Sequence, residues 1–289
     1  MRGYHAGQRA VQRRSGETTV AERLERGIRP ELPDVAQEFL AGLPQLFVAA
    51  TDPAGRVWAS VLSGPPGFVD APDERTLTVA AHPPAGSPLA QALGGGPAAV
   101  GLLGIEPETR RRMRVNGTGT LAANGLTVRT EQVYSNCPKY IQRRHVAAAE
   151  GGPPPRAVER ERMSAGDRRQ IAAADTFVIA TAGPDGADAS HRGGSPGFVA
   201  VLDEGRLRFP DYPGNTMYMT LGNLESNPRA GLLFLDWETG DALQLSGRAA
   251  IDWSAERAVD FTVERVVATA RAVPYRWALD ERSRFNPPL

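Results

Sequence analysis

Ser190, His191, Arg192, Gly193 and Gly194 stand in one uninterrupted run. Of all stretches in the chain, this one is best suited to hold an anion. His191 and Arg192 can supply charge-assisted hydrogen bonds. Two successive glycines let main chain and ligand approach with no Cβ between them. Further on, Asn215, Thr216 and Thr220 fall at the start of a helix expected over 216–224, where free amides and the helix dipole favour a phosphate. Asn223 and Gln244 could reach further ligand oxygens. The competing reading is a surface ion pair for Arg192 and an ordinary structural role for Thr220 and Asn223.

A second set lies in the first half. Arg112 and Arg114 alternate on an expected strand, so both can face one anion, although a run of arginines from 110 to 114 also suits a solvated face. Asn136, Lys139, Tyr140 and Gln142 surround the single cysteine, Cys137. They are candidates for a segment docked against a substrate groove, with packing between domains as the alternative. Cys137 itself reads poorly as a nucleophile: Pro138 marks a helix start and no histidine is near in sequence. Gly94-Gly95-Gly96 is expected to end a helix and not to wrap a phosphate.

These residues sit on a repeat. Sliding the chain by 130 positions places 47–69 on 177–199 with 11 of 23 residues identical and no gap. The same offset brings Gly101-Leu102-Leu103 onto Gly231-Leu232-Leu233 and Gly117 onto Gly247. Repeats must be recognised before any fold is assigned. Under this shift His191 falls on Val61, Arg192 on Leu62, Thr220 on Ala90 and Asn223 on Leu93. An anion site is therefore expected once per chain, organised by the second half, with Ser60, Arg112 and Arg114 reaching across from the first.

The elements that must position these residues are short. Strands are expected over 46–50, 57–62, 76–80, 98–105, 112–121 and 126–134, then over 177–180, 187–191, 206–209, 230–235, 242–251 and 261–268. Helices are expected over 34–43, 87–93, 164–173 and 216–224, with a surface helix or arm before residue 28. Gly151-Gly152-Pro153-Pro154-Pro155 reads as the joint between halves. The expected organisation is an N-terminal arm (1–33), a first repeat with its connecting segment (34–150), a linker (151–163) and a second repeat (164–289). The class is mainly β with short helices (α+β), built as small barrels.

The chain has 33 basic and 33 acidic side chains in 289 residues, which argues against a general nucleic-acid or anionic-membrane binder. No apolar run approaches the length of a membrane span, and no signal peptide is visible. One cysteine permits no internal disulfide. A cytoplasmic protein with a small-molecule substrate is the expectation. The four histidines show no spacing suited to a metal.

The run 189–199, together with Pro213-Gly214-Asn215, Leu221-Gly222-Asn223-Leu224, Asn227-Pro228 and Leu245-Ser246-Gly247-Arg248-Ala249, resembles the flavin-binding split-barrel superfamily of pyridoxamine 5'-phosphate oxidase. The segments Arg110 to Gly117 and Tyr134 to Gln142 add to a resemblance with its tandem-repeat members, over roughly 40–270. This resemblance implies two tandem split β-barrels forming an intramolecular pseudo-dimer, as a monomer or a homodimer of such chains. It implies flavin mononucleotide (FMN), or a deazaflavin, in the groove between the barrels, with NADH or NADPH as a possible electron donor. It implies an oxidoreductase of unspecified substrate, or else a non-catalytic flavin- or haem-binding protein. The vitamin-specific oxidase holds its flavin phosphate with several Arg and Lys residues, a set this chain does not reproduce.

Overall fold

The computed structural model describes residues 3–135, 137–149, 151–152, 155–214, 216–254 and 256–288. The first part holds helices α1 (Ala6–Arg14), α2 (Thr18–Glu25) and α3 (Asp34–Ala41), then strands β1 (Gln45–Thr51), β2 (Val57–Ser63), β3 (Val69–Asp73) and β4 (Thr76–Val79). Helix α4 (Pro88–Leu93) and strands β5 (Ala98–Glu106), β6 (Arg111–Ala122) and β7 (Gly125–Ser135) complete it. After β8 (Arg143–Ala149) and β9 (Arg156–Arg160) come α5 (Ala165–Ala173), β10 (Thr176–Gly183), β11 (Gly186–Gly193), β12 (Ala200–Val201) and β13 (Arg206–Pro210). The chain ends with α6 (Met219–Ser226), β14 (Arg229–Leu235), β15 (Ala242–Asp252), β16 (Ala258–Ala270) and β17 (Tyr275–Glu281). No described helix is long and apolar enough to cross a membrane.

The repeat in the sequence is a repeat in space. The first sheet runs β2-β1-β5-β6-β7-β4-β3 and the second β11-β10-β14-β15-β16-β13-β12, the same order strand for strand. Both carry a bulge at one place, between Asn116 and Gly117 and between Ser246 and Gly247. A Cβ on either bulge glycine would overlap the facing carbonyl oxygen, of Arg129 or of Thr262. The strand bends there and only glycine fits.

Alternation along the strands sorts side chains to two sides. Leu46 and Val48 of β1 fill the core of the first barrel, with Leu102, Val115 and Leu126. Phe177 and Ile179 of β10 fill that of the second, with Leu232, Phe209 and Phe261. The intervening residues form a third apolar layer between the barrels: Phe47, Ala49 and Leu103 against Val178, Ala180 and Leu233. Two glycines allow this close approach. A Cβ on Gly101 would stand 2.5 Å from Cα of Asp188, and one on Gly231 would stand 2.7 Å from Cα of Trp58. Since 101 corresponds to 231 and 58 to 188, these are one contact seen twice, related by a pseudo-two-fold axis.

Two sequence expectations need correction. The ungapped pairing of Phe47 with Phe177 is one residue out of register. Phe47 faces Leu103 and Val61, whereas Leu233 and His191 face Val178. Gly183 and Gly186 pair directly around Pro184-Asp185, while the first hairpin closes over Asp52–Arg56, one residue longer. Because side chains alternate, that single deletion turns Phe177 into its own barrel and leaves Phe47 between barrels. The second correction concerns 143–160, expected as connecting segment and linker: it contains two strands. β9 adds to the edge of β16, and β8 pairs with β17 in a separate ribbon. Tyr134 faces Arg114 as Val267 faces Gln244, so this part of the repeat is offset by 133. By that offset the ribbon pair His145 and Ala278 are equivalents of each other, and the pseudo-axis passes between them.

The N-terminal segment is not a loose arm. A capping box between His5 and Gln8 starts α1, Val11 enters the second core, and α1 lies on α6. A Cβ on Gly222 would overlap the main chain of Gln8.

Candidate functional site

Strand β11 ends at Gly193, and the groove beside it is walled by both halves. Arg112 of β6, Lys139 and Tyr140 line one side; His191, Arg192, Asp211 and Tyr212 line the other. Arg112 donates from Nη1 to Nδ1 of His191 at 3.1 Å. This fixes the imidazole as the tautomer with its proton on Nε2. Among the described residues neither Nε2 of His191 nor Nε of Arg112 has a hydrogen-bond partner, and both atoms are buried.

The electrostatics are one-sided. Burial, then the charges of Arg112, Arg192 and Arg144, hold the His191 pKa well below 6.5, so it is neutral at pH 7. Burial, then Arg114 and Arg192, press the Arg112 pKa down to about 9. An arginine keeps its proton at neutral pH all the same, so Arg112 is a cation in a position that an anion would relieve. Among the described residues no carboxylate pairs with it. Arg192 lies 3.9 Å from Asp211, donates to Ser190 Oγ (2.9 Å) and to its own strand at His191 O (3.0 Å), and its side chain is 14% exposed. It is not a surface ion pair, and Asp211 is already bonded to Arg257 at 2.7 Å.

The enclosed volume is ≈ 40 Å³. That admits a phosphate-sized group and not a tricyclic ring. Tyr140 and Tyr212, with centroids 5.3 Å apart, close the mouth, and Tyr140 OH is tied to Pro213 O at 2.7 Å. The donors therefore fit the phosphate of a flavin nucleotide, while the ring would need the two tyrosines to part.

Other candidate residues have different surroundings. A Cβ on Gly193 would overlap Tyr140 O, and one on Gly194 would stand 2.6 Å from the Phe198 ring. Both glycines make room for protein neighbours, and Gly193 also lines the groove. Arg114 is buried in an ion pair with Asp188, which also accepts from Tyr134 OH (2.9 Å) and Asn116 (3.2 Å). It thus ties the barrels together behind the groove. Gln142 is a knot: its amide donates to Asp175 O and Gly194 O, and its oxygen accepts from Ser283 N (2.8 Å). Asn223 bonds His5 (2.8 Å) and Thr181 (2.9 Å) beneath α1. Helix α6 begins at Met219, three residues later than expected, which leaves Thr216 in the preceding turn. Thr220 is buried, its hydroxyl has no partner among the described residues, and like Thr216 it does not line the groove. Ser60 and Gln244 bond each other (2.9 Å) at the equivalent position on the far side of the pseudo-axis. Asn136 and Asn215 lie outside the described residues. Cys137 is exposed and free.

Tyr212, Asp211 and Phe285 were not singled out from the sequence. Phe285 lies under Lys139, 5.5 Å from Nζ to the ring centre. Only the aromatic Tyr212 directly before Pro213-Gly214 carried a sequence signal.

Comparison with known proteins gives one family. The profile described as pyridoxamine 5'-phosphate oxidase matches residues 163–285. No curated protein matches the chain. Solved structures that resemble it include HupZ from Group A Streptococcus, with 16% identity over 36% of this chain and 92% of that one, at a TM-score of 0.29. The FAD binding protein from Mycobacterium smegmatis shows 13% identity over 40% and 100%, at 0.28. HutZ, the haem storage protein from Vibrio cholerae, shows 11% over 36% and 90%, at 0.26. Likenesses this low carry no argument about what this chain binds.

Proposed function

We propose, from the premise that the second barrel is of the pyridoxamine 5'-phosphate oxidase family, that this chain holds a flavin nucleotide by its phosphate between the two halves. The observation that carries the reading is Arg112: among the described residues, a cation without a carboxylate partner, beside a neutral histidine whose N–H has no acceptor. Arg112, Arg192 and Lys139 would neutralise the phosphate, and Nε2 of His191 would donate to it. Flavin mononucleotide is the form that best suits this end, since a terminal phosphate is what these donors address. A bound flavin would supply hydride transfer between an electron donor such as NADH or NADPH and a small organic substrate, which makes the chain an oxidoreductase. Residues of the chain would do the rest. Tyr140 and Tyr212 would close over the ligand and exclude water, and the Arg114–Asp188 pair would keep the two walls in register. The single free cysteine accords with work in the cytoplasm.

A deazaflavin would use the same phosphate site, so the choice between the two rests on the ring. Haem storage is the weaker reading: the unshared Nε2 of His191 could face an iron, but the guanidinium groups around it oppose a metal cation.

The test is reconstitution. Purified chain is saturated with FMN or with a deazaflavin nucleotide, and bound cofactor is released by denaturation and counted. One FMN per chain with the two-band spectrum of an oxidised flavin supports the proposal. A protein that stays colourless and takes up neither cofactor sinks it. Two per chain contradicts a single charged site.

A further inference from the structure

The pseudo-axis that builds the charged groove also builds a second groove, and the two differ in kind. β2 stands where β11 stands, β15 where β6 does, and Pro83-Pro84 where Pro213-Gly214 do. Substitution has removed the charged groups at the corresponding positions of the copy. Where the first groove has Arg112, the second has Ala242. In place of His191 it has Val61, and in place of Lys139 it has Ala272. No other bulk has taken their place. The cavity is ≈ 240 Å³, against ≈ 40 Å³ on the charged side.

Protein interiors close up around deleted side chains or lose stability in proportion to the void. This one is held open. Pro83, Pro84 and Pro155 form stiff walls, and β9 covers one side through Ala157. Among the described residues no charged side chain lines the cavity. A charged ligand would leave water without compensation, at a prohibitive cost. The polar groups present are hydroxyls and one amide, and that amide is occupied: Gln244 Nε2 donates to Ala59 O (2.8 Å) and Ser60 Oγ (2.9 Å). Thr269 and Ser87 also line the cavity.

The geometry points to a second, independent small-molecule site in the Ala242 groove, selective for an uncharged, compact, largely apolar organic molecule with one or two polar atoms. It stands whether or not the charged groove holds a flavin, because none of its lining residues belongs to that groove. Duplication has thus given one chain two grooves of opposite selectivity, one for an anion and one for a neutral molecule.

The experiment titrates the full chain with 1-naphthol, neutral at pH 7, by saturation-transfer NMR and equilibrium dialysis, and separately with inorganic phosphate. Saturable binding of one 1-naphthol per chain is expected. Ala242→Leu, which fills the cavity from one wall, and Ala272→Leu, which fills it from the partly exposed wall, should each weaken that binding at least tenfold. Both should leave phosphate binding unchanged. Arg112→Ala should do the reverse. Near-UV circular dichroism identifies a variant that fails to fold, and the second filling variant then decides. The inference is overturned by absence of saturable naphthol binding to the wild-type chain. It is equally overturned if binding survives both filling variants, or if Arg112→Ala removes it, since the probe then sits in the charged groove. Failure of FMN reconstitution leaves the naphthol readouts intact, so the two readings fail separately.

Discussion

Arg112 of the first barrel donates to Nδ1 of His191 of the second across 3.1 Å, and among the described residues no carboxylate pairs with it. An ion pair at this point would make a structural tie. A cation hydrogen-bonded to a neutral imidazole makes a place for an anion.

Arg112→Ala and Arg192→Ala should each weaken phosphate and FMN binding. A charge-assisted bond is worth about 1.5–3 kcal/mol, which corresponds to roughly 10- to 150-fold in Kd. Isothermal titration on folded variants measures this. Unchanged affinity in both variants would remove the anion from the groove. The double change His191→Val with Arg192→Leu, which copies the first half, should abolish tight binding.

Acid should act through His191. Its pKa in the folded chain lies well below its value of about 6.5 in the unfolded chain. Below that pH the unfolded chain takes up a proton that the folded chain refuses, so stability falls as pH drops through 6.5. A bound phosphate offers the protonated imidazole a partner and raises the folded pKa. At a given phosphate charge state, affinity should therefore gain a contribution from His191 as pH falls toward that raised pKa, and the acid loss of stability should shrink in its presence. Thermal melts from pH 8 to 5 with and without phosphate test both signs. His191→Asn should flatten both dependences, and a slope that persists in it assigns the effect elsewhere.

Gln142→Leu should loosen the wall of the groove more than the fold. It strands Ser283 N, Gly194 O and Asp175 O, groups whose burial without a partner costs about 1–3 kcal/mol each. Lys139 and Tyr140 lose the anchor that follows them, and the segment carrying Phe285 is released. Ligand dissociation should accelerate severalfold in stopped-flow displacement with little change in association. Equal changes in both rates would make Gln142 an ordinary core residue.

Gly101→Val and Gly231→Val should separate the barrels without unfolding either. Each places side-chain atoms into the facing main chain, and overpacking of this kind costs about 1–3 kcal/mol or more. Lost ligand binding with near-native far-UV dichroism is expected. A variant of either glycine with wild-type melting would contradict the close approach.

The repeated strand order was legible because the glycines and apolar residues of 59–69 and 189–199 answer to the same turns and the same core. The reach of Arg112 toward His191 followed from putting two such barrels face to face. The register of β10 was not legible: identities at Phe47 and Phe177 look alike whether they face inward or outward, and only pairing across the sheet separates them. The ribbon of β8 and β17 was missed because its residues alternate weakly and its strands lie far apart in sequence. Asn223 read as a ligand residue because nothing in its neighbourhood announces that His5 arrives to bond it from the other end of the chain.

At the centre of the ribbon, where a true two-fold axis would make one residue meet itself, His145 faces Ala278. Two identical chains could put only like against like at that spot, histidine on histidine or alanine on alanine. A single chain carries different residues on its two sides, so His145 is free to turn to Asp280, 2.7 Å away, and bond it once. Every position near the axis enjoys the same release from self-encounter, and the unequal grooves on either side are what that freedom looks like at the scale of a binding site.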